Sequence, residues 1–380
     1  MAPRVAQQRG ERGRPLRRSA RVVLTAATAA ALCAAGCGGP SASKRSTDVP
    51  LSNVFVIVLE NHSKRDVIGD PNTPRLTALA KTYGEATSYY GVTHPSEPNY
   101  LAMIAGRTFG VNDDDPAHLF HARNLVDQLE AAGRSWAAYE ESLPSAGYLG
   151  DYWPSAAAPL YASKHNPFVH FADIRSDPAR LARIKPYGAL ARDLNGPARS
   201  IPDFVYIVPN QCHDMHGGVN TRVAPNGSDG SPCPYASENG TTDLALERKA
   251  DFFVHRAVRT IMSSRAWTGN SVIFVVADES DAAADPTTGD WADTSGCCDT
   301  PVVPAEDPAV SSSWPGGGYG GGLAPAIVIA RLGPRHHASS TPYNHYSLLA
   351  TIEHGWHLGY LGHAGDIAGG VVPMNDLLVR

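Results

Sequence analysis

Six apolar residues in succession, Val54-Phe55-Val56-Ile57-Val58-Leu59, four of them β-branched, run straight into Glu60-Asn61-His62-Ser63. Such a run reads as a strand buried on both faces, which a parallel sheet covered by helices requires. No other stretch limits the possible folds as strongly. The run ends in a carboxylate, an amide and an imidazole, and open α/β sheets bind ligands just beyond the carboxyl ends of their strands. Glu60 and Asn61 are therefore expected at a site, holding a metal ion.

The rest of the chain repeats this grammar. A helical spacing over 72–83 follows, then a strand-like segment over 87–92. Next comes Thr93-His94-Pro95-Ser96-Glu97-Pro98-Asn99-Tyr100, leading into a helix that Pro98 would open, with Ser96 just outside it. That position offers free backbone N–H groups and the positive end of a helix dipole beside the Ser96 hydroxyl. A helix over 124–132 and a short strand over 135–139 end in Glu140-Glu141. Residues 143–200, including Lys164-His165-Asn166-Pro167, carry no clean period and read as an insertion over the top edge of the sheet, forming pocket wall. Strand 204–208 leads to Pro209-Asn210-Gln211-Cys212-His213-Asp214-Met215-His216, and a helix is predicted over 245–263. Strand 272–277 ends in Asp278-Glu279-Ser280-Asp281. A last strand spans 326–330, and a last helix, over 346–356, has His345 at its N-terminus. The glycine run 316–322 lacks the spacing of a phosphate loop and reads as a flexible loop. Alternating strands and helices predict a doubly wound, mostly parallel α/β sheet with helices on both faces.

Charge and cysteines bear on where the protein works. The formal net charge is −5, yet residues 1–36 carry seven arginines and one acid, leaving −11 for the remainder. An acidic body gives no electrostatic reason to expect nucleic acid as a partner. Arg17-Arg18, the apolar stretch 22–35 and Gly36-Cys37 have the layout of an export signal too short to span a bilayer. Ala34-Ala35-Gly36-Cys37 resembles a bacterial lipoprotein cleavage box, in which Cys37 becomes the acylated first residue. The expected organisation is a signal peptide over 1–36, a tether over 37–50 and one domain over 51–380, exported and either held at the cell surface by lipid on Cys37 or secreted. Cys212, Cys233, Cys297 and Cys298 then suggest two disulfides with three possible connectivities; a four-thiolate zinc site is the rival reading, disfavoured because Cys297 and Cys298 are adjacent.

Four strand ends thus present Glu60-Asn61, Glu140-Glu141, His213-Asp214-Met215-His216 and Asp278-Glu279. Glu60, Asp278 and Glu279, with the Asn61 amide and a Ser96 oxygen, make a hard set suited to Mg²⁺, Ca²⁺ or Mn²⁺, while added histidines would admit Zn²⁺. The imidazoles suit protonation of a leaving oxygen or contact with phosphate. His62, His255, His354 and His357 are given no role.

Leu59-Glu60-Asn61-His62-Ser63, the 93–100 and 209–216 segments, Ala277-Asp278-Glu279 and Tyr343-Asn344-His345-Tyr346-Ser347-Leu348-Leu349 together resemble the bacterial phosphoesterase family, which includes secreted acid phosphatases and non-specific phospholipases C. The resemblance covers about residues 51–365 with the motifs in family order. It implies an alkaline-phosphatase-like fold, a divalent metal on Glu60, Asn61, Asp278 and Glu279, and a nucleophile from the Ser96 segment. It also implies phosphate contacts from His213 and other histidines, so that Asn61, His165, Asp214, His216 and His345 are assigned to substrate. His213, or alternatively His94 or His345, would protonate the leaving group. The segment 281–298 replaces the glycine-rich turn and Asp-His-Val of the phospholipase branch, which favours the acid phosphatase branch. The expected activity is hydrolysis of small-molecule or lipid phosphomonoesters through a phosphoserine. The alternatives are a phospholipase C-type phosphodiesterase and a non-catalytic surface lipoprotein; a sulfatase would need a Cys/Ser-x-Pro-x-Arg signature that is missing.

Overall fold

All six residues of β1 (Val54–Leu59) are buried, and the strand lies in the middle of an eight-stranded sheet. The computed structural model describes residues 49–217, 243–281, 293, 295–298 and 320–379. The expected signal peptide, the acylated Cys37, most of the tether and Cys233 lie outside these residues. The other strands are β2 (Gly84–Ala86), β3 (Trp136–Glu140), β4 (Ile184–Pro186), β5 (Phe204–Val208), β6 (Val272–Ala277), β7 (Ala326–Ala330) and β8 (His337–Ser339). Their order is β8-β2-β7-β6-β1-β5-β3-β4. Pairing is parallel from β6 through β1, β5 and β3 to β4, and β7 alone runs against its neighbours.

Strands buried on both faces need cover on both faces, and two groups of helices supply it. α1 (Pro74–Thr82) packs with α4 (Asp243–Met262), while α2 (Ser96–Ala105) packs with α3 (Leu125–Ala131) and α5 (His345–Gly355). This is the mostly parallel, doubly wound α/β arrangement that the alternating pattern predicts. Two of these helices start on side-chain caps: Asn124 accepts from Val126 N–H in a capping box with Asp127, and Asn344 caps α5 by accepting from Ser347 N–H.

Three differences from the sequence reading have physical causes. α2 begins at Ser96, with Pro95 as its N-cap, so Ser96 lies in the first turn of the helix rather than outside it. The predicted strand over 87–92 reduces to Tyr89–Tyr90, paired with Tyr343–Asn344, and the main sheet takes Gly84–Ala86 instead. The irregular stretch 143–200 contributes β4 to the sheet; a three-residue edge strand ending in Pro186 has too short a pattern to read.

The glycine run also departs from expectation in its described part. Gly321 N–H donates to Gly91 O and Gly91 N–H to Gly322 O, both at 3.0 Å, so these glycines form a paired strap. A Cβ on Gly91 would lie 2.8 Å from Gly321 O and 2.9 Å from Asp278 O, so only glycine allows the approach. Cys297 is bridged to Cys298, and Cys212 is disulfide-bonded as well, so a four-thiolate zinc site does not form.

Beneath the sheet, Glu353 on α5 is fully buried; one carboxyl oxygen accepts from Leu361 N–H at 2.9 Å and the other has no partner. Burial pushes its carboxyl up from 4.5 to about 8. The folded state therefore holds this proton more tightly than the unfolded chain does. The resulting stability is complete below pH 4.5 and is lost as pH rises towards 8. Calorimetric melting of Glu353→Gln should show a smaller fall in Tm across that window than the parent protein.

Candidate active site

Strand ends build the site. Asp278 N–H donates to Leu59 O at 3.0 Å and Glu60 N–H to Asp214 O at 2.8 Å, which locks the ends of β6, β1 and the turn after β5 together. Asn61 turns the chain with φ of 24°, a conformation that Asn tolerates better than most residues. Its N–H donates to Asp278 Oδ1 at 3.2 Å. Opposite them, the Ser96 hydroxyl projects from the first turn of α2 and lies 2.9 Å from Glu60 Oε2, 3.3 Å from Glu279 Oε1 and 3.4 Å from Asn61 Oδ1. Glu60, Ser96, Asp278 and Glu279 are all buried.

The segment carrying Ser96 is held by Asn99, which sequence reasoning passed over. Its Oδ1 accepts from Val92 N–H at 2.8 Å and Thr93 N–H at 3.2 Å, and its Nδ2 donates to Thr93 O at 2.7 Å and Pro95 O at 3.0 Å. A cis peptide joins His94 to Pro95. His94 lies with Nδ1 2.5 Å from Glu279 Oε2 and Nε2 3.1 Å from Asp293 O. Burial draws this imidazole down, but the charge and hydrogen bond of Glu279 outweigh it and push it up to about 9. Both ring nitrogens face acceptors, so His94 is a fixed imidazolium.

Burial first, and neighbouring carboxylates second, push Glu60, Asp214 and Asp278 well above the usual range, and burial raises Glu279 against the pull of His94. Asp278 Oδ2 and Asp214 Oδ2 are buried without a hydrogen-bond partner. Crowded buried carboxylates with orphaned oxygens are costly unless a cation accompanies them. The donors therefore fit a divalent ion: Glu60, Asn61, Asp278 and Glu279 around the Ser96 oxygen form a hard set. Glu60, His165 and His216 can also bring three donor atoms within 4.8 Å of one another, a mixed set of the type zinc accepts.

His165 stacks on Tyr100, with ring centroids 5.3 Å apart, and its Nε2 lies 3.3 Å from Glu60 Oε1 without a hydrogen-bond partner. The Tyr100 hydroxyl donates to the same Glu60 oxygen. Burial lowers His165 well below the ordinary imidazole range and brings His216 down to about 4. Lys164 joins this group, 2.9 Å from Asp114 Oδ2 and 3.3 Å from His216 Nε2.

The structure does not gather every expected residue around Ser96. His345 lies behind Asp278, donating from Nε2 to its carbonyl and meeting the Tyr89 hydroxyl through Nδ1 at 2.8 Å. His213 meets Glu141 Oε2 at 2.9 Å through Nδ1 and stacks on Phe253 of α4. Asp114, Asn99, Tyr100 and the charge of Lys164 were missed. Asp114 sits in a run of three aspartates that reads as a solvated loop, and Tyr100 reads as helix core, so neither carries a local signal.

A model of the Phosphoesterase family matches residues 70–226. The chain is 28% identical over 325 residues to a phosphate-repressible acid phosphatase of Penicillium chrysogenum, covering 82% of this chain and 63% of that protein. It is 32% identical over 209 residues to a phosphatidylinositol-3-phosphatase of Mycobacterium tuberculosis, covering 54% of this chain and 66% of that one. The chain belongs to the phosphoesterase family. It spans less than two thirds of the Penicillium protein and 38% of a probable acid phosphatase of Kluyveromyces lactis. Among solved structures, murine ectonucleotide pyrophosphatase/phosphodiesterase 5 shares the fold, with a TM-score of 0.52 at 11% identity, over 87% of this chain and all of that one. The alkaline-phosphatase-like fold expected of the family is thus the one observed.

In this site, Asn99→Ala removes both ends of the clamp on the Ser96 segment and leaves backbone groups buried without partners. The expected loss is about 3 kcal/mol, read as a lower urea midpoint with an unchanged slope.

Proposed function

We propose that this chain is an exported, metal-dependent phosphatase that cleaves phosphomonoesters through a phosphoserine on Ser96. The observation that carries the reading is the Ser96 hydroxyl, centred on Glu60, Glu279 and Asn61 at 2.9–3.4 Å. A serine that merely capped a helix would bond to backbone instead, as Asn124 and Asn344 do. The names of the relatives support phosphomonoesters as substrates, including acid phosphatase and phosphatidylinositol-3-phosphatase.

Glu60, Asn61, Asp278 and Glu279 would hold a divalent ion. Once bound, it neutralises the carboxylates and offsets charge on the transferring phosphoryl group. Ser96 Oγ attacks phosphorus as its proton passes to Glu60 Oε2, where the hydrogen bond already stands. The bond to the leaving oxygen breaks as that oxygen takes the proton from Glu60, and water then hydrolyses the phosphoserine to inorganic phosphate. His94 is the counter-charge that holds Glu279 in place. His345 orients Asp278 from behind.

For a neutral contact to the phosphate, His165 is better placed than the other histidines. Its Nε2 faces the cluster unpartnered, whereas both nitrogens of His94 and of His345 are engaged and His213 meets Glu141 and Phe253. The signal peptide over 1–36, lipid on Cys37, the tether over 37–50, a single phosphoesterase domain over 51–380 and disulfides among the cysteines complete the reading. No helix among the described residues is long and apolar enough to cross a membrane.

Ser96→Ala should lower p-nitrophenyl phosphate turnover by at least ~10³-fold; near-normal turnover in that variant overturns the nucleophile. Asp278→Asn should lose metal and activity together, with metal content read by mass spectrometry, and retention of stoichiometric metal counts against the ligand set. His165→Gln should weaken binding of inorganic phosphate, read by calorimetry, by about 10-fold. Unchanged phosphate binding in that variant places the His165 contact elsewhere.

A further inference from the structure

Lys164 lies on the short helical turn Ser163–His165 and brings an ammonium to the imidazole side of the site. Asp114 holds it at 2.9 Å through Oδ2. Asp114 Oδ1 in turn accepts from Glu97 N–H at 3.0 Å, the residue after the nucleophile. The cation is therefore fixed relative to Ser96 by a two-step tether rather than hanging from a mobile stem. Its side chain is only 13% exposed.

The partner of Lys164 on the other side reveals what the charge is for. His216 Nδ1 lies 3.0 Å from Gly217 O. A carbonyl only accepts, so Nδ1 carries the proton and Nε2 presents its lone pair. Lys164 Nζ lies 3.3 Å from that Nε2 and donates to it. A second cation bound among Glu60, His165 and His216 would find this lone pair taken and an ammonium beside it. An anion meets the opposite situation: a fixed positive charge, an unpartnered His165 nitrogen and the electrostatic field that Lys164 exerts as far as Glu60 and Glu279. This half of the site is built for negative charge.

A phosphomonoester dianion carries three unesterified oxygens, whereas a phosphodiester carries two and a single negative charge. Two oxygens can be shared between the Ser96 side and the ligand set, which leaves the third facing Lys164 and His165. In a diester, that position holds a second ester group. We propose that Lys164, tethered by Asp114, meets the third unesterified oxygen and selects phosphomonoester dianions over phosphodiesters. The inference rests on the phosphohydrolase reading above and assigns its substrate class to one side chain.

The test compares p-nitrophenyl phosphate with bis(p-nitrophenyl) phosphate, together with calorimetric binding of inorganic phosphate, in the full chain and its variants. Lys164→Met should lower kcat/KM for the monoester by about 10²-fold and weaken phosphate binding by about 10-fold or more, with the diester rate changed by less than about 3-fold. Asp114→Asn should move the same ratio in the same direction by about 10-fold, because the ammonium keeps its charge but loses its anchor. If Lys164→Met folds poorly with Asp114 left unpaired, the double variant Lys164→Met/Asp114→Asn removes both charges and must still show the fallen ratio. A parallel loss on both substrates, or an unchanged ratio and unchanged phosphate binding, overturns the assignment while leaving the phosphatase reading intact. If the parent protein hydrolyses neither ester, the phosphatase reading fails and this inference falls with it.

Discussion

Water is excluded from both faces of β1, and its last hydrogen-bonded residue is followed by a carboxylate that is also buried. Much of the arrangement answers that placement. Glu60 cannot be solvated where it stands, so it gathers the Ser96 and Tyr100 hydroxyls as donors and the His165 ring beside them. Asp278 arrives at the same level because β6 pairs with β1 in parallel register up to the Leu59–Ala277 step. A buried strand end in a parallel sheet thus concentrates negative charge at one point. The fold tolerates that concentration by surrounding it with donors and by presenting ligand oxygens to a cation.

The cations of the site divide the work. His94 is clamped between Glu279 and a backbone carbonyl and serves as a permanent counter-charge. Lys164 faces Asp114 and His216, so the two positive groups come from separate elements. One is paired with a carboxylate of the oxygen set, and on the proposed reading the other meets the substrate. The hard oxygen set and the imidazole set share Glu60 but differ in electrostatic character because of Lys164. On the proposed reading, that difference separates a place for metal from a place for phosphate.

Backbone geometry is as decisive as side-chain chemistry here. Gly91 lets the strap through Gly321 and Gly322 pass directly behind Asp278, and Asn99 ties four backbone groups of the segment that carries His94 and Ser96. A hydroxyl about 3 Å from three oxygen ligands tolerates little displacement. These supports lie beside the chemistry and not in it, yet they set the distances on which it depends.

The sequence alone determined the central strands, because runs such as Val54–Leu59 and Val272–Ala277 are long, apolar and β-branched, and the residues that follow them are too polar for a core. It also determined that Glu60, Asn61, Asp278 and Glu279 stand at neighbouring strand ends, since a parallel sheet brings all such ends to one edge. Tertiary structure decided the rest. Ser96 joined the helix rather than preceding it, with Pro95 extended at the N-cap position. His213 turned towards Glu141, while Lys164 and Asp114, 50 residues apart in the chain, met beside His216. Strand ends are legible because local periodicity encodes them; an ion pair between two loops has no period, and only the packed chain brings it together.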